Sequence, residues 1–514
     1  MNRWSALGAL FAVLTALALR IPGLESRPFH NDEAVNAVKL SELWEKGHYA
    51  YDPDEHHGPT LHYASLALLR LSGTRPVKER SDAALRWVTV AFGVALILLP
   101  LLLVDGIGRT AAAWASLFLA ISPAMVFYSG YFIHEMLLVF FTAVTLGAGW
   151  QYSQKASPLW ATLVGAGLGL MFTTKETFVL SLAAMGAAGF LTAWWTNGAP
   201  PTPKTVLAHI SGTHLALAAG STLLVWLILF SSFFTHAQGL LDSIRTYLPW
   251  LKRAGGQSPH IHPWYFYLER LAWFHRAKGP IWSEAAILAL AALGIGVSLF
   301  AKRAAFHRFF ALYTLGLTGI YCSISYKTPW CLLNFYLGMI LMAGVGADWL
   351  WQLFQSRVSR AVFSVVMLLA VLHLAGQSWR AGSEYASDRR NPYVYAQTVP
   401  DVMTLVERSE GIARVAPEGY QTVIKIIAPE SEYWPLPWYL RRFSNLGWYE
   451  KLPEDPYAPI VMVSSKLNAR LDEKSEKKWI MVGLSELRPA LFFELYVESE
   501  LWKRYVETLP KDRE

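Results

Sequence analysis

Charge is scarce in this sequence. Asp, Glu, Lys and Arg make up 16% of its 514 residues, whereas 54% are hydrophobic and 14% aromatic; soluble domains carry about 25% charge. The composition therefore does not support a soluble globule. Cysteine is nearly absent as well. Cys322 and Cys331 alone are too few for a disulfide framework or a Cys-rich zinc site. No glycine-rich nucleotide loop appears, and the basic residues form no nucleic-acid-binding stripe. What charge there is lies unevenly: 19 of the 45 basic and 21 of the 38 acidic residues fall within positions 380–514. This predicts a cationic membrane domain, residues 1–379, followed by a soluble tail, residues 380–514.

Apolar runs of span length occur near residues 4–21, 86–104, 111–128, 135–151, 158–173, 178–195, 214–233, 283–301, 308–325, 331–351 and 359–377. They predict a mainly α, polytopic protein of about eleven transmembrane helices. The first run is read as a retained helix because no small-residue cleavage site precedes Arg20-Ile21-Pro22. Residues 59–71, with His62 and Arg70, are too short to cross and predict an interfacial helix. Placing the N-terminus inside puts Arg109, Lys155, Lys204, Lys302, Arg303, Arg308, Arg357 and Arg360 on the cytoplasmic side. Arg75, Lys78 and Arg80 then fall outside, against the positive-inside rule, but in a long loop that follows it only weakly. The external face of this inner-membrane protein receives loops 22–85 and 234–282, three short turns and the tail. Alternating helix-like and strand-like runs make the tail a small α/β domain.

The unusual polar residues gather on that external side. The first loop holds Asp32 and Glu33, then Asp52, Asp54, Glu55, His56 and His57. A carboxylate at a membrane surface can act as a general base, and Asp32 and Glu33 lead on that count. Equally, Asn31 or Asp32 could simply cap a helix through Val35 to Trp44. His134 and Glu135 open a span, and Leu138 stands where the second His of a metalloprotease motif would be. Lys175 and Glu176 interrupt two spans, and Lys327 precedes Trp330 in a similar turn. Such cations suit a phosphate leaving group, or snorkel as anchors. Loop 234–282 interleaves Arg245, Lys252, His260, His262 and Arg270 with aromatic residues, as a headgroup site or an interfacial belt would. His56, His57, His134, His260 and His262 could join carboxylates around a divalent metal, but no spacing fixes one, and no cofactor is certain.

The strings His30-Asn-Asp-Glu-Ala, Tyr49-Ala-Tyr-Asp-Pro with His57-Gly-Pro, Thr174-Lys-Glu, Tyr326-Lys-Thr-Pro-Trp and Tyr433-Trp-Pro-Leu-Pro-Trp-Tyr resemble the GT-C membrane glycosyltransferases. That class includes the dolichyl-phosphate-mannose protein mannosyltransferases and the lipid A aminoarabinose transferases. Within it, the strings look like the prokaryotic flippase-activity-associated proteins. The resemblance implies a polyprenyl-phosphate sugar donor, an inverting hexosyl transfer to a hydroxyl of an unspecified protein, lipid or glycan on the external face, and no nucleic-acid partner. By the same carry-over Asp32 is the catalytic base with Glu33 beside it, Glu135 is the second-loop acid, and Lys175 contacts the donor phosphate. His57, His134, Glu176, Lys327 and Trp330 join them as substrate-binding candidates. The rival reading is a lipid-linked-sugar flippase or its non-catalytic partner. Apolar spans beneath a one-sided cluster of polar residues favour the transferase.

Overall fold

A computed structural model of the chain describes residues 3–202, 204, 210–255, 260–300 and 305–510. Lys302 and Arg303 lie outside the described residues. Two compact units are formed: Met1–Leu24, Glu42–Thr74 and Ala83–Tyr395 make the first, and Glu25–Ser41, Arg75–Asp82 and Ala396–Glu514 the second. The tail unit thus begins at Ala396 rather than at 380 and takes in two pieces of the first loop. Charge content does not report packing: Asn391 donates to the Ala381 and Tyr385 carbonyls within the helical unit, while the Phe29 amide donates to Tyr439 Oη at 2.6 Å within the other.

The first unit is a polytopic helical bundle. Every predicted apolar run is helical, but the count of eleven full spans does not follow. Among the described residues, six helices are long and apolar enough to cross a bilayer: Asp82–Ile107, Glu135–Gln154, Phe178–Asn197, Gly212–Phe230, Pro329–Leu353 and Arg357–Gly382. A seventh span exists if the pair Arg109–Ile121 and Pro123–Ser129, bent by 55°, counts as one. Pro158–Thr174 and Ala285–Phe300 are apolar but shorter; sixteen residues rise only about 24 Å. Ala305–Ser323 carries His307 and Arg308 in its first turn. As expected, Thr60–Leu71 is a separate short helix, and it buries His62.

The bend has an identifiable cause. Pro123 cannot continue the helix, and Ser122 is extended, its hydroxyl capping the Met125 amide. Such a break strands carbonyls on one side and amides on the other. Arg20, buried at the end of Arg3–Arg20, donates to Leu119 O and Ala120 O, each at 2.9 Å. Glu284, fully buried, accepts from the Ala124 amide at 2.9 Å and from Ser122 Oγ at 2.6 Å. A cation at a helix C-terminus and an anion at the next N-terminus both match the local dipoles. Tyr336 and Tyr393 also donate to Glu284, at 2.8 and 2.5 Å, fastening two further segments to it. Elsewhere Gly294 and Gly346 let Ala285–Phe300 and Pro329–Leu353 meet backbone to backbone.

The second unit is a mixed five-stranded sheet of β1 (Ile424–Ile427), β2 (Leu446–Tyr449), β3 (Ile460–Ser464), β4 (Trp479–Arg488) and β5 (Leu491–Glu498), in the order β2-β1-β3-β5-β4. The first two neighbours of β1 run parallel to it and the β3-β5-β4 ladder is antiparallel. β3, Ile-Val-Met-Val-Ser, is buried on both faces, as a central strand of this kind should be. The α/β expectation for the tail agrees, but β2 was not foreseen: Leu-Gly-Trp-Tyr is short and half-buried throughout.

Candidate active site

At one end of the helical unit, the turn after Pro158–Thr174 meets the start of Glu135–Gln154. Lys175 and Glu135 form an ion pair there, both buried. Burial alone would push the Lys175 ammonium down; the Glu135 carboxylate more than reverses this and holds it above its ordinary value. Glu176 faces the first loop: His57 Nδ1 lies 2.8 Å from its Oε2, and Tyr51 Oη donates to Oε1 at 3.3 Å. Burial pushes the Glu176 carboxyl up, but His57 and the backbone outweigh it and hold the group below its usual value. His134 Nε2 donates to Gly58 O at 3.1 Å, and Thr60 Oγ1 meets Thr173 Oγ1 at 2.8 Å. Residues 49–62 therefore form a strap seated on the 173–176 turn. It can lie so close because Gly58 has no side chain: a Cβ there would run into the Thr173 carbonyl. His134 is held neutral, its value lowered chiefly by burial and then by His57, His62 and Lys175.

A second cluster surrounds Lys327. Its ammonium is buried and donates to the carbonyls of His262, at 3.2 Å, and Ile324; among the described residues no carboxylate pairs with it. His260 Nδ1 and His262 Nε2 each lie 2.8 Å from Tyr395 Oη. Arg270 stacks over Phe266, 3.5 Å from the ring centre, and forms a loose ion pair with exposed Glu269 at 3.9 Å. Burial lowers both the Arg270 and Lys327 values. It also drives His262 down to about 4, with the charges of Arg270, His260 and Lys327 adding to the effect. Trp330 is buried nearby, its ring 6.2 Å from Tyr395. The result is a cationic, aromatic-walled patch short of counter-charge.

The tail unit holds the first acidic pair. Asn31–Lys46 is a helix as expected, but its cap is His30 rather than Asn31 or Asp32. His30 Nδ1 accepts from the Asp32 amide at 3.1 Å, and Glu33 reaches back to the His30 amide at 2.9 Å. This is the reciprocal arrangement of a capping box, with His in place of Ser or Thr. Glu33 is fully buried and bonded to Arg27 Nη1 at 2.5 Å. Asp32, by contrast, keeps about half of its side chain exposed and stands 3.7 Å from His30 Nδ1. Burial lowers the His30 value, although Asp32 and Glu33 oppose it, which suits an Nδ1 that must accept. Arg488 approaches from β4: it donates to Glu432 O at 3.0 Å and, with the Asn31 amide correctly oriented, to Asn31 at 2.5 Å.

One unit thus gathers His57, His134, Glu135, Lys175, Glu176, Lys327 and Trp330, and the other holds Asp32 and Glu33. Neither lysine snorkels toward water. Sequence reasoning did not single out Tyr395, Glu284 or Arg488; Arg270 stood unranked in its loop. Among the described residues no three His, Cys, Asp or Glu are grouped as metal ligands.

Residues 62–226 match the model of the dolichyl-phosphate-mannose-protein mannosyltransferase family. No curated protein sequence matches the chain. Among solved structures, ArnT from Cupriavidus metallidurans bound to undecaprenyl phosphate gives a TM-score of 0.64 at 14% identity, covering 96% of this chain and 98% of ArnT. The archaeal oligosaccharyltransferase AglB from Archaeoglobus fulgidus, in complex with an inhibitory peptide and a dolichol-phosphate, gives 0.61 at 13% identity over 91% of this chain and 70% of its own. Arabinofuranosyltransferase AftD from Mycobacteria gives 0.50 at 13%, over 97% and 40%. The narrower likeness to the flippase-activity-associated proteins rests on motifs alone. Over nearly its whole length the chain has the fold of the GT-C membrane glycosyltransferases.

Proposed function

We propose that this protein is a membrane glycosyltransferase that moves a sugar from a polyprenyl-phosphate-linked donor to an acceptor hydroxyl on the external face, with inversion. The observation that carries the reading is the buried cationic patch of Lys327 and Arg270, whose ammonium lacks a carboxylate partner among the described residues. A lipid phosphate is the anion such a patch at the membrane end of a bundle would take. Charge that builds on it as the glycosidic bond breaks is worth most in a poorly solvated setting. Lys175 is already neutralised by Glu135, so its part is to hold the 173–176 turn and add a weaker field. Asp32, the exposed member of its pair, accepts the proton of the acceptor hydroxyl as that oxygen attacks the anomeric carbon. Glu33 positions it through the cap. The phosphate departs with the bonding electron pair, and the donor arrives by diffusion in the bilayer, so no nucleotide site is required.

The test is release of polyprenyl phosphate from radiolabelled lipid-linked sugars by the protein in liposomes. Asp32→Asn is expected to lower turnover by about 10²–10⁴-fold with expression unchanged. Parental turnover in the variant removes Asp32 as base. Sugar crossing the bilayer uncleaved, equally in both proteins, identifies a flippase instead.

A further inference from the structure

At the opposite ends of the same helices lies a cavity of about 510 Å³, bounded by Thr145, Trp150, Thr192, Asn197 and Phe306, with Gly149 and Gly189 in its walls. From Glu135 to Gly149 the helix rises roughly 20 Å, so the cavity is separate from the ion pair described above. Its lining is largely apolar, and its size suits a chain-like or drug-sized ligand. Two donors in that lining are unmatched. The Trp150 indole N–H and the Thr192 hydroxyl are buried without a hydrogen-bond partner among the described residues, and Thr192 is 8% exposed. Buried donors call for an acceptor. Beside the cavity Arg308 reaches over Trp195, 5.7 Å from the ring centre, and its Nε is likewise unmatched among the described residues.

We propose that this cavity binds one anionic glycerophospholipid from the adjoining leaflet. An acyl chain fills the apolar space, an ester carbonyl accepts from Trp150 and Thr192, and the phosphate meets Arg308. The two donors decide between lipids: a polyprenyl tail is hydrocarbon and brings no acceptor to them, whereas a glycerophospholipid carries its esters just below the headgroup. Glu135–Gln154 and Phe178–Asn197 are each just long enough to cross a bilayer, so a spanning helix of that length brings its last turns to the headgroup region, and basic pockets between membrane helices select anionic headgroups. The proposal is independent of the transfer reaction.

The experiment follows thermal unfolding of the delipidated full chain in detergent as phosphatidylglycerol is added. A Cβ at Gly149 or Gly189 meets no atom within 4 Å, so Gly149→Leu with Gly189→Leu fills the cavity without moving backbone. Phosphatidylglycerol is expected to raise the parental Tm, and the filled variant to need at least 10-fold more lipid for the same shift, its lipid-free Tm being no lower. Arg308→Gln should erase the preference for phosphatidylglycerol over phosphatidylethanolamine. An equal shift in the filled variant overturns the proposal, as does undecaprenyl phosphate giving the larger shift. If the filled variant does not fold, Trp150→Phe with Thr192→Val removes both donors at nearly constant volume, and retention of the parental shift by that pair is equally decisive.

Discussion

Glu284 receives four hydrogen bonds, from Ser122, Ala124, Tyr336 and Tyr393, and is fully buried. Nothing in its sequence neighbourhood marks it, since Trp282-Ser-Glu reads as the edge of an apolar run. Its importance arises from partners 52 to 162 positions away. Replacing Glu284 by Ala leaves three hydroxyls and an amide without their acceptor, and is expected to cost roughly 2–4 kcal/mol; Glu284→Gln should lose less. Thermal unfolding in detergent checks both. The same limit governs the candidate site. Asp32, Glu33, Glu135, Lys175 and Lys327 could be picked out because ionisable groups beside apolar spans are rare. That Lys175 is spent on Glu135, 40 residues away, while Lys327 rests on carbonyls, depends on tertiary pairing that no local spacing encodes.

At the scale of elements, the strap of residues 49–62 is the part most open to test. Gly58→Ala should lift it from the Thr173 carbonyl and lower sugar transfer by at least tenfold while the helices stay folded, a combination that activity assays and circular dichroism together read. Its second fastening is titratable. Because the folded value of Glu176 lies below the ordinary 4.5, the His57 contact stabilises the fold at neutral pH and is lost as pH falls through that lowered value. Hydrogen exchange over residues 49–62 should therefore stay slow at pH 5 and quicken only in stronger acid. In Glu176→Gln it should be fast throughout. Apolar run length made the helices legible from the sequence, down to the short Thr60–Leu71. It did not reveal the 55° bend, because Ser122-Pro123 sits within an unbroken apolar run.

For the molecule as a whole, the proposed orientation makes Lys155 and Trp264 lie on opposite sides of the membrane. Both are exposed, so cysteines placed there should label from opposite sides in sealed vesicles, and labelling from the same side would invert or break the topology. Composition separates an apolar part from a charge-rich tail, because charge density follows solvent; it could not see that two pieces of the first loop pack with the tail. The capped bend has a further consequence, for synthesis. Arg20 leaves the ribosome about a hundred residues before the carbonyls it caps, whereas Glu284 is made 160 residues after the Ala124 amide it accepts from. At 5–20 residues per second this leaves the Ala124 amide without its carboxylate for roughly 10–30 s. During that interval the nascent span must borrow its partners from water, lipid headgroups or the insertion machinery, and it can settle only once the eighth apolar run has begun to enter the bilayer.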